Sequence, residues 1–347
     1  MKLNNTKRKN LLTYAVVTVC YAVFQMLSLG GNLSSTLKGM LVPICAYVVM
    51  AISLNLTVGV LGELSLGHAG FMSVGAFMGV TAAISLQNVI VSAPLRLAIA
   101  LIVGAVFAGI VGFLVGIPVL RLNGDYLAIV TLAFGEIIKS VFNNLYLGLD
   151  SRGFRLSLLE DRTNLHEDGR LIIAGPMGIG GIEKIASFTA GFVLILICLA
   201  VIFHLVNSRH GRAIMAIRDN RIAAESVGLP VTRYKMMAFV TSAAMAGAAG
   251  ALFALNYSTV VANKFDFNTS ILVLVFVVFG GLGNMLGSII AAATLTILPE
   301  ALRGFSNYRM LIYAIVLVLV MLASNNEQLR SMLSRIIPKR KEHTHDA

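Results

Sequence analysis

Long apolar runs dominate the chain, and its polar residues gather between them. A helix that crosses a bilayer needs about 20 mostly apolar residues. Candidate spans fall at 11–29, 40–58, 66–86, 95–116, 125–147, 188–206, 236–256, 269–281, 286–300 and 309–323. The runs at 269–281 and 286–300 are short and separated by a glycine-rich break, so they read either as two spans or as one broken, re-entrant element. The pattern predicts an all-α, polytopic membrane helix bundle of eight to ten spans, with ten the preferred count. Tails at 1–10 and 324–347 flank the spanning part, 11–323.

Composition agrees with this. The chain is 57% hydrophobic and 12% charged, against about 25% charged in ordinary soluble proteins. Its net charge of +11 is a cue for nucleic acid, but the distribution of the charge argues against that. Of 27 basic residues, 15 lie in the N-terminal tail, in the loop at 207–235 and in the C-terminal tail. By the positive-inside rule these three stretches are cytoplasmic. The loop at 148–187 then falls outside; its acidic residues slightly outnumber its basic ones, and Gly175, Pro176, Gly178, Gly180 and Gly181 read as turns. The first run lacks a small-residue cleavage site before Lys38 and is read as a retained span. Cys20, Cys45 and Cys198 lie far apart in apolar runs and suggest neither metal ligands nor disulfides.

Ionisable and polar residues inside spans are costly and usually face a bundle interior or a cavity. Here they are Glu63, Ser65 and His68 around the start of the third run, and Asp125, Glu136 and Lys139 in the fifth. Glu136 and Lys139 share one helical face and form a candidate ion pair. The stretch Gly62–Gly70 reads as a glycine-broken helix entry, in which His68 is more readily a hydrogen-bonded structural residue than a ligand. Small residues recur at helical spacing at Gly75/Gly79, Gly112/Gly116, Gly283/Gly287 and Ala243/Gly247/Gly250, which predicts close helix packing within the chain or with another membrane subunit. Gly59, Leu61, Gly62 and Gly67 echo Gly280, Leu282, Gly283 and Gly287, a hint of an internal repeat. No metalloprotease helix, nucleophile elbow or Walker A motif is present. The expectation is a transport protein, not an enzyme, with no cofactor, no metal site and no nucleic-acid partner.

The loop at 207–235 carries a helix-favouring stretch, Ala213–Val227, in which Ile214, Ile217, Ala224 and Val227 alternate with charge. Gly228 followed by Pro230 is a helix stop. Such an amphipathic helix lies on membrane lipid or docks into a groove of a soluble partner.

This loop resembles the coupling segment of bacterial ABC importer permeases, whose pattern is E-A-A-x-x-x-G. Ala223, Ala224 and Gly228 match it, and Ile222 stands in place of the acidic residue. Gly62–Gly79, Gly124–Ile137 and Gly211–Lys235 are similar to the LivM-type permeases of branched-chain amino acid importers, over roughly 40–325. The resemblance implies a multi-pass plasma-membrane subunit without its own ATPase site. Its partners would be a second, LivH-type permease, two ATP-binding subunits and an extracytoplasmic binding protein that delivers Leu, Ile or Val. It further implies that Arg218, Ala223, Ala224 and Gly228 meet an ATPase, and that Glu63, Ser65, His68, Asp125 and Glu136 are candidates for the translocation path or a subunit interface. Rival readings are a urea or short-amide permease of the same architecture, and an ion-coupled secondary transporter working alone.

Overall fold

A computed structural model describes residues 2–30, 34–122, 124–150, 153–158 and 170–302, together with positions 311, 314, 315 and 318. The chain forms two compact units, Met1–Ala293 and Thr294–Ala347. The described helices are α1 (Lys2–Leu29), α2 (Ser35–Asn55), α3 (His68–Ser85), α4 (Ala93–Val119), α5 (Asp125–Asn143), α6 (Phe188–Asn207), α7 (Arg209–Asp219), α8 (Arg221–Ser226), α9 (Val231–Ala254), α10 (Phe267–Gly280) and α11 (Met285–Ala301). A π-helical turn, Leu56–Leu61, continues α2.

Nine of the ten predicted spans coincide with helices, while the tenth, 309–323, lies outside the described residues apart from four isolated positions. Among the described residues, seven helical stretches are long and apolar enough to cross a membrane. Of the other two, α5 carries Asp125, Glu136 and Lys139, and α11 is only 17 residues long. The chain is therefore an all-α polytopic membrane bundle.

Helix α9 is the core element, packed against α2, α3 and α4. Its small residues let backbones meet, as the glycine spacing predicts. A Cβ on Gly75 of α3 would strike the backbone of Gly247, and one on Gly112 of α4 would lie 2.5 Å from Ala243 Cβ. These contacts run α4 antiparallel to α9, with Gly112 at Ala243 and Gly116 at Met236. They run α3 alongside α9, with Gly75 at Gly247 and Gly79 at Ala251. Helix α1 is antiparallel to α6, since Tyr14 packs edge-on against Phe203 while Tyr21 stacks on Phe188 and Phe192. One end of the bundle thus gathers the start of α1, the break after Leu61, the α4–α5 turn, the 207–230 loop and the α10–α11 turn.

The opposite end holds the segment at 148–187, and here the structure adds something the turn residues did not predict. Strands β1 (Leu145–Asp150), β2 (Gly153–Leu158) and β3 (Arg170–Ala174) form an antiparallel sheet in the order β2-β1-β3. Strands β4 (Ile179–Gly180) and β5 (Thr259–Val260) pair separately. The fifth predicted span runs too long for the same reason: after Asn143 the alternating Leu145-Tyr146-Leu147-Gly148-Leu149 leaves the helix for β1. Buried Arg96, at the start of α4, donates to Glu183 at 2.6 Å and ties this end to the bundle.

Candidate functional site

Two helix breaks organise the end that carries the 207–230 loop. In the first, the π turn at Leu56–Leu61 stops at Gly62, which holds φ +83° in the left-handed region open to glycine. The chain then runs without helix to Gly67. Helix α3 starts deep in the bundle, because buried His68 meets Ser53, two turns before the end of the π segment. Non-helical backbone at such depth must find its hydrogen bonds in protein. Leu66 N donates to Thr131 Oγ1 at 3.1 Å, and Ala69 N donates to Ser270 Oγ at 3.1 Å. The sequence reading of a glycine-broken entry holds.

The second break joins α10 to α11 through Gly281–Asn284, with Gly281 and Gly283 at φ +89° and +78°. The pair at 269–300 is therefore two helices around a tight turn. The two breaks touch: a Cβ on Gly59 would strike the backbone of Gly283. Buried Asn55 binds them together, accepting from Gly283 N at 2.8 Å and donating to Ser288 Oγ at 2.9 Å. The two stretches that echo each other in sequence thus meet in space, Gly59 against Gly283.

The loop lies over the first break. Its single predicted helix is in fact two, α7 and α8, separated at Asn220. Asn220 adopts an extended backbone, and its side chain accepts from Ala223 N at 3.0 Å. An asparagine prefers this capping role to a helix interior, which divides the amphipathic stretch. Ile214, Ile217 and Ala224 turn inwards; Ala224 packs with Ile217 and Val231. Ile222 and Val227 are instead 80% and 75% exposed. Gly228 ends α8 at φ +82°, with open space where a Cβ would stand.

Arg218 points towards the bundle. Its stem covers Gly62, its Nη1 donates to the Gly59 carbonyl at 3.0 Å, and Asp219 holds the guanidinium at 2.9 Å. Lys235, 4% exposed at the start of α9, is paired with Glu63. A polar cavity of about 790 Å³ opens here, lined by Glu63, Asp125, Arg218, Arg221, Glu225 and Lys235 among others.

The predicted site residues therefore divide into separate places. Glu63 and Asp125 join Arg218 at the cavity. Ser65 is buried, with no side-chain partner among the described residues. His68 shares a 2.8 Å hydrogen bond with Ser53. Glu136 pairs with Lys139 within α5, as the spacing predicted, away from the cavity. Ala223 is exposed beside the buried Ala224. Sequence reasoning missed Asn55, Thr131, Ser270 and Ser288, whose signal was an uncharged amide or hydroxyl in or at the edge of an apolar run. It read Lys235 only as one of the loop's topological charges.

The chain matches the family of the branched-chain amino acid transport system permease component over residues 36–322. It is 34% identical over 328 residues to the high-affinity branched-chain amino acid transport system permease protein LivM of Salmonella typhimurium, covering 92% of this chain and 74% of that one. With the LivM of Escherichia coli it shares 36% over 286 residues, 80% of this chain and 66% of the other. The fructose import permease protein FruG of Bifidobacterium longum is 27% identical over 244 residues, 67% of each. No solved structure matches. With nine described helices at predicted spans and a family match over most of its length, the chain is a multi-pass membrane protein that belongs to the branched-chain amino acid transport permease family.

Proposed function

We propose that the chain is a permease subunit of an ATP-driven importer of branched-chain amino acids, and that α8 is the surface on which an ATP-binding subunit docks. The relatives named LivM support the solute class. The observation that carries the docking surface is the exposed pair Ile222 and Val227, on a short helix and its C-cap, seated on α7 and α9. Two large apolar side chains presented to water on a rigid support suit a groove in a partner. The resemblance placed the docking on Arg218, Ala223, Ala224 and Gly228; with Arg218 turned to the bundle and Ala224 buried, we assign the contact to Ile222, Ala223 and Val227, and Gly228 shapes the exit.

The basic end, with the start of α1 and the loop together, is the cytoplasmic one. A second permease completes the membrane part, and a binding protein delivers the solute to the end that carries β1–β5. On this reading ATP hydrolysis belongs to separate subunits, in keeping with a sequence that carries no Walker A motif.

Ile222→Asp is expected to abolish co-purification of the ATP-binding subunits and leucine uptake, while the protein reaches the membrane in normal amount. The change is at an exposed position, where substitutions usually alter stability by no more than about 0.5 kcal/mol. Undiminished co-purification and radiolabelled leucine uptake would remove α8 from the interface.

A further inference from the structure

We infer that Arg218 is a positioning residue that carries movement of the α7–α8 loop into the two glycine breaks, which shift as one body. The inference rests on the docking reading above and adds the path by which a pull on α8 reaches the spans.

The path is a series of direct contacts. At the loop, Ile214 and Ile217 anchor α7 in the protein, so Arg218 moves with its helix. Its Cγ is 2.5 Å and its Cδ 3.2 Å from where a Gly62 Cβ would stand, which leaves room there for glycine alone. The Nη1 bond to the Gly59 carbonyl spans 159 residues of sequence. Gly59 lies in the π turn, and such turns are frequent at functional sites. Its other face touches Gly283, and Asn55 holds the Gly283 amide at 2.8 Å and Ser288 at 2.9 Å. Displacement of the loop thus bears on α2 and α3 at the first break, and on α10 and α11 at the second.

The breaks are suited to moving. Gly62, Gly281 and Gly283 hold positive φ, and hinges work by letting a few residues absorb large backbone changes. Two hinges joined by an amide and a backbone contact cannot rotate independently. Arg218 is also the single side chain that reaches from α7 to the Gly59 carbonyl among the described residues. The neighbouring Lys235–Glu63 pair joins α9 to the first break and fixes the floor beneath the loop.

The test uses the assembled transporter in lipid nanodiscs, with Cys20, Cys45 and Cys198 replaced by alanine. A reference spin label at Leu95, exposed in the first turn of α4, is paired with a label at Ser226 on α8 or at Leu282 in the second break. Helix α4 is about 40 Å long, which suits dipolar distance measurement from its far end. With Arg218 intact, ATP shifts both distances. With Arg218→Gln, the Ser226 distance still shifts, the Leu282 distance stays at its ATP-free value, and uptake falls roughly threefold to thirtyfold. Arg218→Lys, which keeps the stem and one donor, recovers part of the Leu282 shift. Asn55→Ala cuts the same path beyond Gly59 and has the same signature. A Leu282 distance that follows ATP fully in Arg218→Gln, or in Asn55→Ala should the first variant not accumulate, overturns the inference. A Ser226 distance indifferent to ATP with Arg218 intact overturns the docking reading, and this inference with it.

Discussion

Lys235→Met is expected to destabilise the bundle by about 3–5 kcal/mol, and the double variant Lys235→Met/Glu63→Gln to recover most of that loss. Lys235 is 4% exposed, and the Glu63 side chain is 12% exposed. With lysine gone, the Glu63 carboxylate stays beneath the loop without a counter-charge, and desolvation of the lone ion dominates the loss. With both charges gone, that cost disappears and only the modest attraction of the pair is forfeited. Glu63→Gln alone should be nearly as harmful as Lys235→Met, since it strands the ammonium instead. Thermal unfolding of the detergent-purified protein orders the four forms. A Lys235→Met protein as stable as the parent would mean that water from the cavity solvates Glu63 fully, and that the pair contributes nothing.

The pair also shows where sequence reading stops. Glu63 and Lys235 are 172 residues apart, and each was noticed for a different reason: one as a costly carboxylate in an apolar run, the other as a topological charge. Hydropathy finds spans because bilayer thickness imposes a length on every one of them. It found nine of the described helices here, and the small-residue spacing foretold close helix packing without saying that α3, α4 and α9 would be the helices that meet. It failed where the local rule had a rival. Tyr146 and Leu147 are apolar enough to prolong α5, yet their alternation suits a strand. Ala213–Val227 is periodic enough for one helix, yet Asn220 caps the second of two. That kink turned Ala224 inwards and Val227 outwards, which no periodicity count across the break could anticipate. Pairing between distant segments is the information a single sequence does not carry. The exception is the echo of Gly59-x-Leu61-Gly62 in Gly280-x-Leu282-Gly283, where similar chemistry in two places marked two breaks that touch.

Gly75→Val is expected to be among the most damaging single substitutions in the bundle interior. Three helices come together here. A Cβ on Gly75 would strike the Gly247 carbonyl and Cα, while one on Gly104 would come within 2.9 Å of the Gly75 carbonyl and 3.2 Å of the Gly247 carbonyl. The obstacles are backbone atoms, so no rotamer change relieves them, and the collision begins at the first carbon beyond Cα. Gly75→Ala should therefore already cost about 1–3 kcal/mol, the usual range for overpacking, and valine more. Gly39→Ala is the matched control: it also lies in a helix, with nothing within 4 Å of the new carbon. There the substitution should stabilise by about 0.4–1 kcal/mol, because alanine loses less chain entropy than glycine. Thermal unfolding should rank the variants Gly39→Ala, parent, Gly75→Ala, Gly75→Val, with leucine uptake failing in the last. Equal stability of Gly75→Val and the parent would mean that α3 and α9 do not meet backbone to backbone. The close contact matters because lipid offers helices little hydrophobic reason to associate. What holds α3, α4 and α9 together is dispersion between closely fitted backbones, and the first carbon added at Gly75 already strains that fit.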